Sequence, residues 1–440
     1  MNKKIKGFSK LSKDKKLDWV VNNFFNDSEN AKKILRKYLN NDEKLQKLHD
    51  EFSENTLTNF YLPFSIAPNF LINSKVYSIP MVIEESSVIA AASKSAKLWS
   101  ELGGFKTKVI SKIKTGQIHF IYLGEKEIIT SYFNSVKSVL IESTENIISN
   151  MKKRGGGIID IQLNDKTSDM NGYYQINISF NTVDAMGANF INSCLEQVSK
   201  SFLEKTDQYN EYKIEKNEIK VIMSILSNYV PDCLVKAEVS CKVKELNLRE
   251  EYDGFCEKFI QAVKIAELDV SRAVTHNKGI MNGIDAVAIA TGNDFRAIEA
   301  GIHAYASRKG KYTSLSKASI ENGIFNFSIE IPLALGTVGG ITNLHPLVKL
   351  ALDMLDNPTA EELMQITASV GLAQNYGALR SLITSGIQKG HMKMHLINIL
   401  NSLEASESEK KLAIEYFKNE IVSNSNVQNY LIKLRKSDEV

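Results

Sequence analysis

The sequence has few cysteines and no long apolar run, and both shortages exclude classes of protein. Its 440 residues contain four cysteines, Cys194, Cys233, Cys241 and Cys256, with no CxxC pair. So sparse a set argues against a disulfide framework and favours reduced packing residues. No run approaches the 18 or so apolar residues of a membrane span, and the basic start lacks the apolar stretch of a signal peptide. We expect a cytoplasmic chain that has no membrane partner.

An excess of one charge is also missing. The chain carries 54 basic and 51 acidic residues, a formal net charge of +3, which is too balanced to indicate a nucleic-acid partner. Hydrophobic residues make up 43% and charged residues 24%, as in ordinary folded proteins. The length predicts two or three domains.

The usual nucleotide-binding signatures are absent as well. Neither GxGxxG after a strand nor GxxxxGK[ST] occurs, which removes support for Rossmann and P-loop folds. The segment DAMGAN (184–189) follows a strand and opens a helix, with Asp184 as the expected N-cap. The free N–H groups of such a helix suit a pyrophosphate, although a packed helix start of small residues fits equally well. The glycines of LGTVGG (335–340) suit either a turn or the close approach of a ligand.

The order of elements indicates an α+β fold. Residues 69–83 form two apolar runs broken at Asn73-Ser74, which predicts a hairpin. A helix follows, with Ser86 and Ser87 as its expected caps and Gly103-Gly104 at its end. Between about 110 and 230 the pattern is β-α-β-β-α-β, with one long helix from about 126 to 153, as in a ferredoxin-like domain.

These patterns predict a large domain made of residues 1–110 and 231–385, with a small domain inserted at 111–230. The large domain includes a helix that begins at Pro358 with a Thr359/Glu362 capping box. Gly386 and Gly390 bracket a hinge, and residues 386–440 are therefore predicted to form a mobile C-terminal flap.

Four residues are candidates for chemistry. Glu85 precedes a helix N-terminus, which favours the carboxylate, whereas burial would favour the acid. Lys278, in the glycine-containing polar loop predicted for KGIMNGID, suits an oxyanion, and Asp294 is a candidate partner for it, although spacing does not show that they meet. His391 and His395 have ligand spacing but lack the HExxH glutamate, so no metal is expected and His391 is the better candidate for a proton donor.

The residues resemble one known family, 3-hydroxy-3-methylglutaryl-coenzyme A (HMG-CoA) reductase, in its soluble bacterial form called class II. Several long motifs in order carry the resemblance over nearly the whole chain. They are IPMVIEESSVIAAAS (79–93), NTVDAMGAN (181–189), SRAVTHNKGIMNGIDAVAIATGNDFRAIEAG (271–301), LGTVGGITNLHP (335–346), VGLAQNYGALR (370–380) and TSGIQKGHMKMH (384–395).

The resemblance implies a four-electron reduction of HMG-CoA to mevalonate and coenzyme A by two NADH or NADPH, without a metal. Glu85 then handles the proton at the substrate carbonyl, Lys278 stabilises the oxyanion with Asp294 as its partner, and His391 protonates the coenzyme A thiolate. It also implies a homodimer, or a larger even-numbered oligomer, with active sites at the subunit interface. The implied substrate contacts are Ser87, Arg272 and Asn282, and the implied cofactor contacts are Asp184, Met186, Gly187, Ala188 and Asn189.

Three alternatives remain open. Glu142 or Glu145 would favour NAD by holding the ribose, whereas a basic group among Lys152, Lys153 and Arg154 would favour NADP by meeting the 2′-phosphate. The same enzyme run in reverse would oxidise mevalonate. A noncatalytic acyl-CoA-binding module has no need for this combination of an acid, an oxyanion cation and a thiolate-protonating histidine.

Overall fold

The computed structural model describes residues 3–209, 212, 214, 218–384, 387–418 and 420–437, without the side chains of 387–394. The chain divides into two compact units, Met1–Pro63 and Phe64–Val440. The predicted domain boundaries at 110, 230 and 385 stay predictions.

The described residues form sixteen α-helices and ten strands. The helices are α1 (Lys13–Phe24), α2 (Ser28–Lys37), α3 (Glu43–Asp50), α4 (Val88–Glu101), α5 (Lys126–Glu142), α6 (Glu145–Lys153), α7 (Ala188–Glu204), α8 (Val243–Arg249), α9 (Phe255–Leu268), α10 (Val270–Ala290), α11 (Phe295–Ala306), α12 (Pro346–Met354), α13 (Ala360–Ile383), α14 (Ile387–Ser402), α15 (Glu407–Tyr416) and α16 (Asn424–Ser437). The strands are β1 (Phe64–Ile72), β2 (Lys75–Val82), β3 (Lys106–Val109), β4 (Lys114–Ile121), β5 (Gly157–Asp165), β6 (Tyr173–Asn181), β7 (Lys220–Leu226), β8 (Leu234–Lys242), β9 (Ser316–Glu321) and β10 (Ile324–Pro332).

The first unit contains α1, α2 and α3. Each helix begins after a Ser or Asp whose side chain accepts a backbone N–H of the first turn. Leu17, Val21 and Ala31 form its small buried apolar cluster.

The second unit opens with the predicted hairpin. Strands β1 and β2 pair antiparallel, and Asn73 and Ser74 both have positive φ, at 46° and 70°. Two left-handed residues in a two-residue loop form the turn that matches the twist of a hairpin. The hairpin prediction at this dipeptide is therefore confirmed.

A four-stranded antiparallel sheet in the order β5-β6-β4-β7 follows in the chain. Its element sequence confirms the β-α-β-β-α-β order, and its strand order is that of a ferredoxin-like fold. Its apolar core, drawn from residues 118–219, is separate from the main core. The single long helix predicted for 126–153 is wrong, because the chain turns at Ser143 and Thr144 between α5 and α6.

The main core lies between helices and a second antiparallel sheet, in the order β3-β8-β10-β9. Helices α10 and α13 pack closely because Gly283 has no side chain, and a Cβ there would lie 3.0 Å from the Val370 carbonyl oxygen. The segment KGIMNGID (278–285) forms the middle of α10. The prediction of a polar loop around Lys278 is wrong, because its glycines serve helix packing. All four cysteines are free, as predicted.

Helix α13 begins with the predicted capping box. The Thr359 hydroxyl accepts the Glu362 N–H, and the Glu362 carboxylate accepts the Thr359 N–H. Helix α14 begins at Ile387, so Gly390 is helical and does not bracket a hinge, whereas Gly386 lies outside the described residues. No helix of the described chain is both long and apolar enough to cross a membrane.

Candidate active site

An ion pair joins two residues that are 193 positions apart in the sequence. The Lys278 Nζ lies 2.7 Å from the Glu85 Oε2. Glu85 lies in the bend between β2 and α4, and Lys278 projects from the middle of α10. The side chains are 35% and 59% exposed, so a ligand has access to both. The fold thus places a carboxylate and an ammonium group side by side at an open surface.

The bend that carries Glu85 ends at a strained residue. Ser87 is the N-cap of α4, but its φ of 77° is left-handed and its side chain makes no capping hydrogen bond. An N-cap normally has extended φ and ψ angles, which aim its oxygen at the first turn. The prediction that Ser87 caps α4 through its side chain is therefore wrong. Its exposed hydroxyl remains available, and left-handed non-glycine residues cluster at functional sites.

Helix α10 carries the two other predicted substrate contacts. Asn282 follows Lys278 by four residues, so both project from one face of the helix. Arg272 lies in the first turn, and no acidic side chain of the described residues pairs with its guanidinium group. Burial lowers the pKa of Arg272, but an arginine stays charged. A half-buried, unpaired guanidinium group suits a substrate carboxylate.

Two buried residues fix the rotation of α10, and the sequence did not single them out. The His276 Nε2 lies 2.6 Å from the Ser316 Oγ. The Asn277 side chain donates to the Thr313 carbonyl and accepts the Leu315 N–H. Burial lowers the pKa of His276 to about 3, so the ring is neutral at pH 7. These contacts hold one side of α10 in the core and leave Lys278 on the exposed side.

Asp294 lies at the start of α11, where its contacts are with residues other than Lys278, its predicted partner. It is the N-cap of α11, where its Oδ1 accepts the N–H groups of Arg296 and Ala297 at 3.1 and 3.2 Å, and it also pairs with the Arg296 side chain. Partial burial would raise the pKa of Asp294, but these hydrogen bonds outweigh it and hold the pKa below its usual value. A Lys278–Asp294 pair is not among the ion pairs that the described side chains form within one chain.

The first four residues of DAMGAN form a loop before α7, and the last two, Ala188 and Asn189, begin the helix. The N-cap of α7 is Gly187, with a φ of 93°, so the prediction that Asp184 caps this helix is wrong. Asp184 instead accepts the Ala360 N–H at 2.8 Å and thereby caps the start of α13. Its backbone oxygen accepts the Thr337 N–H at 2.8 Å.

The start of α7 offers free donors to an anion. The N–H groups of Ala188, Asn189 and Phe190 have no acceptor among the described residues, and Asn189 is exposed. Such a helix end binds pyrophosphate well, so the residues present fit a dinucleotide. Gly336 of LGTVGG shows neither of the two predicted uses, because a Cβ there would lie 2.3 Å from the Met186 nitrogen of the same chain. This glycine allows the close approach of a second backbone.

Residues 142–154, which include the candidates for the choice between NAD and NADP, end near this loop. On α6, Lys152 forms an ion pair with Glu145. Arg154 is exposed and has no acidic partner among the described side chains. The turn after α6 packs on Val183, the residue that precedes DAMGAN. A Cβ on Gly156 would lie 2.8 Å from a methyl group of Val183.

The predicted proton donor, His391, lies in one of the C-terminal helices. The backbone of α14 includes His391, but its side chain lies outside the described residues. Within the described residues, no three His, Cys, Asp or Glu side chains are grouped to hold a metal ion.

A family model and curated proteins match most of this chain. The model described as hydroxymethylglutaryl-coenzyme A reductase matches residues 14–396. The chain is 37% identical to the 3-hydroxy-3-methylglutaryl-coenzyme A reductase of Archaeoglobus fulgidus, over 94% of this chain and 91% of that protein. It is 34% identical to the probable enzyme of that name in Borreliella burgdorferi, over 89% of each.

Solved structures match as well. The 3-hydroxy-3-methylglutaryl-coenzyme A reductase of Streptococcus pneumoniae superposes with a TM-score of 0.72 at 35% identity, over 97% of this chain and 99% of that one. A class II structure from the same organism, bound to NADPH in open conformations, gives a TM-score of 0.70 at 35% identity, over 91% of this chain and 97% of that one.

Proposed function

The chain belongs to the hydroxymethylglutaryl-coenzyme A reductase family, and we propose that it reduces HMG-CoA to mevalonate and free coenzyme A in isoprenoid synthesis. The observation that carries this proposal is the 2.7 Å contact between Lys278 and Glu85 at an open surface. A fixed cation beside a carboxylate is what carbonyl reduction needs, because charge develops on oxygen and a proton must follow it.

The reaction proceeds through two reductions. NAD(P)H, held at the start of α7, would supply one hydride for each reduction. After the first, Lys278 stabilises the oxyanion of the thiohemiacetal, and the C–S bond breaks to leave an aldehyde and a coenzyme A thiolate. His391 protonates this thiolate. Glu85 takes up a proton from solvent when Lys278 turns from its carboxylate to the oxyanion. After the second reduction, the protonated Glu85 gives this proton to the alkoxide to form the alcohol, so the whole reaction consumes two hydrides and two protons.

The substrate lies across the exposed side of α10. Arg272 binds the free carboxylate of the hydroxymethylglutaryl group, since its guanidinium group matches a carboxylate in a bidentate manner. Ser87 and Asn282 supply neutral hydrogen bonds to the hydroxyl and carbonyl oxygens. The left-handed conformation of Ser87 keeps its hydroxyl out of the capping role and free for this contact.

The dinucleotide lies against the start of α7, with Asp184, Met186, Gly187, Ala188 and Asn189 in or beside its binding loop. We favour NADPH over NADH. The supporting observation is charge: Lys152 neutralises Glu145, and Arg154 remains unpaired next to the turn that packs on Val183. Arg154→Ala is expected to lower kcat/KM for NADPH about tenfold and leave that for NADH within about twofold. Equal changes with both cofactors would contradict this assignment.

The active protein is a cytoplasmic homodimer with composite sites. Apolar side chains at Ile341, Leu344, Leu347 and Leu350 are 37–56% exposed, a density typical of an interface. Gly292, two residues before Asp294, packs against Ile341. A second copy docked on this face brings an Asp294 to the Lys278 of its partner, which accounts for the absence of that pair within one chain.

The assay for the function follows nicotinamide absorbance and released thiol together, with HMG-CoA and either cofactor. Oxidation of two NADPH per thiol is the expected result. No oxidation with either cofactor, in a folded protein that binds NADPH, would refute the reductase and favour an acyl-CoA-binding module.

Mixing two variants tests the composite site. Lys278→Met and Asp294→Asn are each expected to be inactive. Their co-refolded mixture should recover about a quarter of wild-type activity, since half of the dimers are mixed and each has one intact site. The control mixture of Lys278→Met with Glu85→Gln shares the Lys278–Glu85 pair within one chain and should recover nothing. No recovery in the first mixture would place each whole site within one chain.

A further inference from the structure

A buried lysine in β4 contacts the loop that precedes α7. Lys114 is 5% exposed, and its Nζ donates to the Thr182 Oγ1 at 2.7 Å, to the Ala185 carbonyl at 2.8 Å and to the Met186 carbonyl at 3.0 Å. All three ammonium hydrogens are therefore used. None of these acceptors is a carboxylate. A buried ammonium without a charged partner is costly, so its retention calls for a reason.

The loop that Lys114 holds does not adopt an easy conformation. Val183 has a φ of 51°, which is unusual for a β-branched residue, and Gly187 has a φ of 93°. Such conformations persist only where surrounding contacts impose them. The Thr182 hydroxyl, which accepts from Lys114, donates onward to the Ala185 carbonyl at 2.6 Å. Lys114 thus closes a hydrogen-bonded ring around the strained residue.

The direction of this restraint bears on the dinucleotide site. The C=O and N–H of a trans peptide point in opposite directions. Holding the Met186 carbonyl on Lys114 therefore turns the Gly187 N–H away from the interior, at the residue that caps α7. Without the ammonium group, two buried carbonyls lose their donor and the loop has reason to rotate toward water.

We propose that Lys114 is a positioning residue that holds the 182–187 loop so that the first turn of α7 meets the dinucleotide. This inference rests on the proposed function, since it takes NAD(P)H as the ligand of α7. Lys114 touches neither substrate nor cofactor and acts through the Ala185 and Met186 carbonyls.

The environment of Lys114 supplies a second readout. Burial lowers the pKa of Lys114 to about 8, with Cys233 and Asp184 opposing the shift and Lys112 adding to it. Above that pH the neutral amine has two hydrogens for three acceptors. Cofactor affinity should therefore weaken in mild alkali, below the range in which an exposed lysine titrates.

The test compares Lys114→Met with the control Lys137→Met. Lys137 lies on α5, and its Nζ bonds to Asp160 at 3.0 Å and to none of the loop residues 182–187. NADPH binding is measured by nucleotide fluorescence without substrate, so it stands even if HMG-CoA is not reduced. Lys114→Met is expected to raise the Kd, and the KM for NADPH, about tenfold, with kcat and the KM for HMG-CoA within about twofold. An unchanged Kd in folded Lys114→Met would overturn the proposal.

If Lys114→Met does not fold, the pH dependence of NADPH binding to the wild-type protein tests the proposal instead. Its Kd for NADPH is expected to rise about tenfold between about pH 7 and about pH 9.5, in parallel with the Lys137→Met control. A Kd that stays constant over this range would overturn the proposal. If Lys114→Met folds, its Kd should lack this alkaline rise, and a rise equal to that of wild type would also count against the role of Lys114.

Discussion

Replacing Lys278 by methionine should separate catalysis from folding. The side chains of Lys278 and Glu85 are 59% and 35% exposed, so water screens their attraction. An ion pair of this kind contributes about 0–1 kcal/mol to stability. Removing one oxyanion donor, by contrast, lowers kcat by about 10²–10³, or about 2.7–4 kcal/mol of transition-state stabilisation. We therefore expect at least a hundredfold loss of kcat with less than about 1 kcal/mol of destabilisation.

The chain contains a matched control for this experiment. Lys264 on α9 is 61% exposed and pairs with Glu267 at 2.6 Å, so Lys264→Met removes an equally exposed cation that has no part in the site. The kcat is followed by nicotinamide absorbance at saturating substrates. Urea unfolding at one fixed protein concentration gives the stability of each variant, because association affects the midpoint.

Two results would refute the reasoning about Lys278. If Lys278→Met kept a third or more of wild-type kcat, the ammonium group would not stabilise an oxyanion. If its free energy of unfolding fell by about 3 kcal/mol, the pair would behave as a buried one, contrary to its exposure. Lys264→Met should match wild type in both measurements.

Three further predictions concern buried charge and the thiolate. Arg380 pairs with Glu250, whose side chain is 2% exposed, so Arg380→Met should lower the free energy of urea unfolding by about 3–5 kcal/mol. Adding Glu250→Gln should recover part of this loss, because it removes the unpaired buried charge. No recovery in the double variant would contradict this explanation. Burial lowers the pKa of His276 to about 3, so its contribution to stability is complete above about pH 6.5 and falls by about 1.4 kcal/mol per pH unit below that pH. His276→Gln should lack this pH dependence of the unfolding free energy in acid. An unchanged pH dependence in the variant would contradict the role of His276. His391→Ala should slow HMG-CoA reduction and spare mevaldehyde reduction, whereas equal losses would exclude the thiolate role.

Local chemistry made part of the fold predictable. The Asn73-Ser74 turn and the Thr359/Glu362 capping box depend on residues within a few positions of one another, and both appear where they were predicted. Gly283 misled the prediction, because glycine serves a loop and a close helix contact equally well, and sequence alone does not tell which partner approaches.

The site depended on contacts across long stretches of sequence. Asp184 looked like a local N-cap, yet its carboxylate accepts the N–H of Ala360, 176 residues away. The family resemblance named both Glu85 and Lys278, but only the fold shows that they meet. Lys114 carried no signal, since a lysine at the start of a strand is normally an exposed one.

Helix α13 is held at both ends by hydrogen bonds to side chains from distant parts of the sequence. At one end Asp184 holds the Ala360 N–H, and at the other Lys258 holds the Ile383 carbonyl at 2.6 Å. Its 24 residues span about 36 Å. The number of residues in α13 therefore sets the distance between the Asp184 loop and the end of the helix at Ile383. One residue inserted into α13 would rotate its last residue by about 100° and move it by about 1.5 Å, so the length of the helix sets the direction in which the chain leaves it.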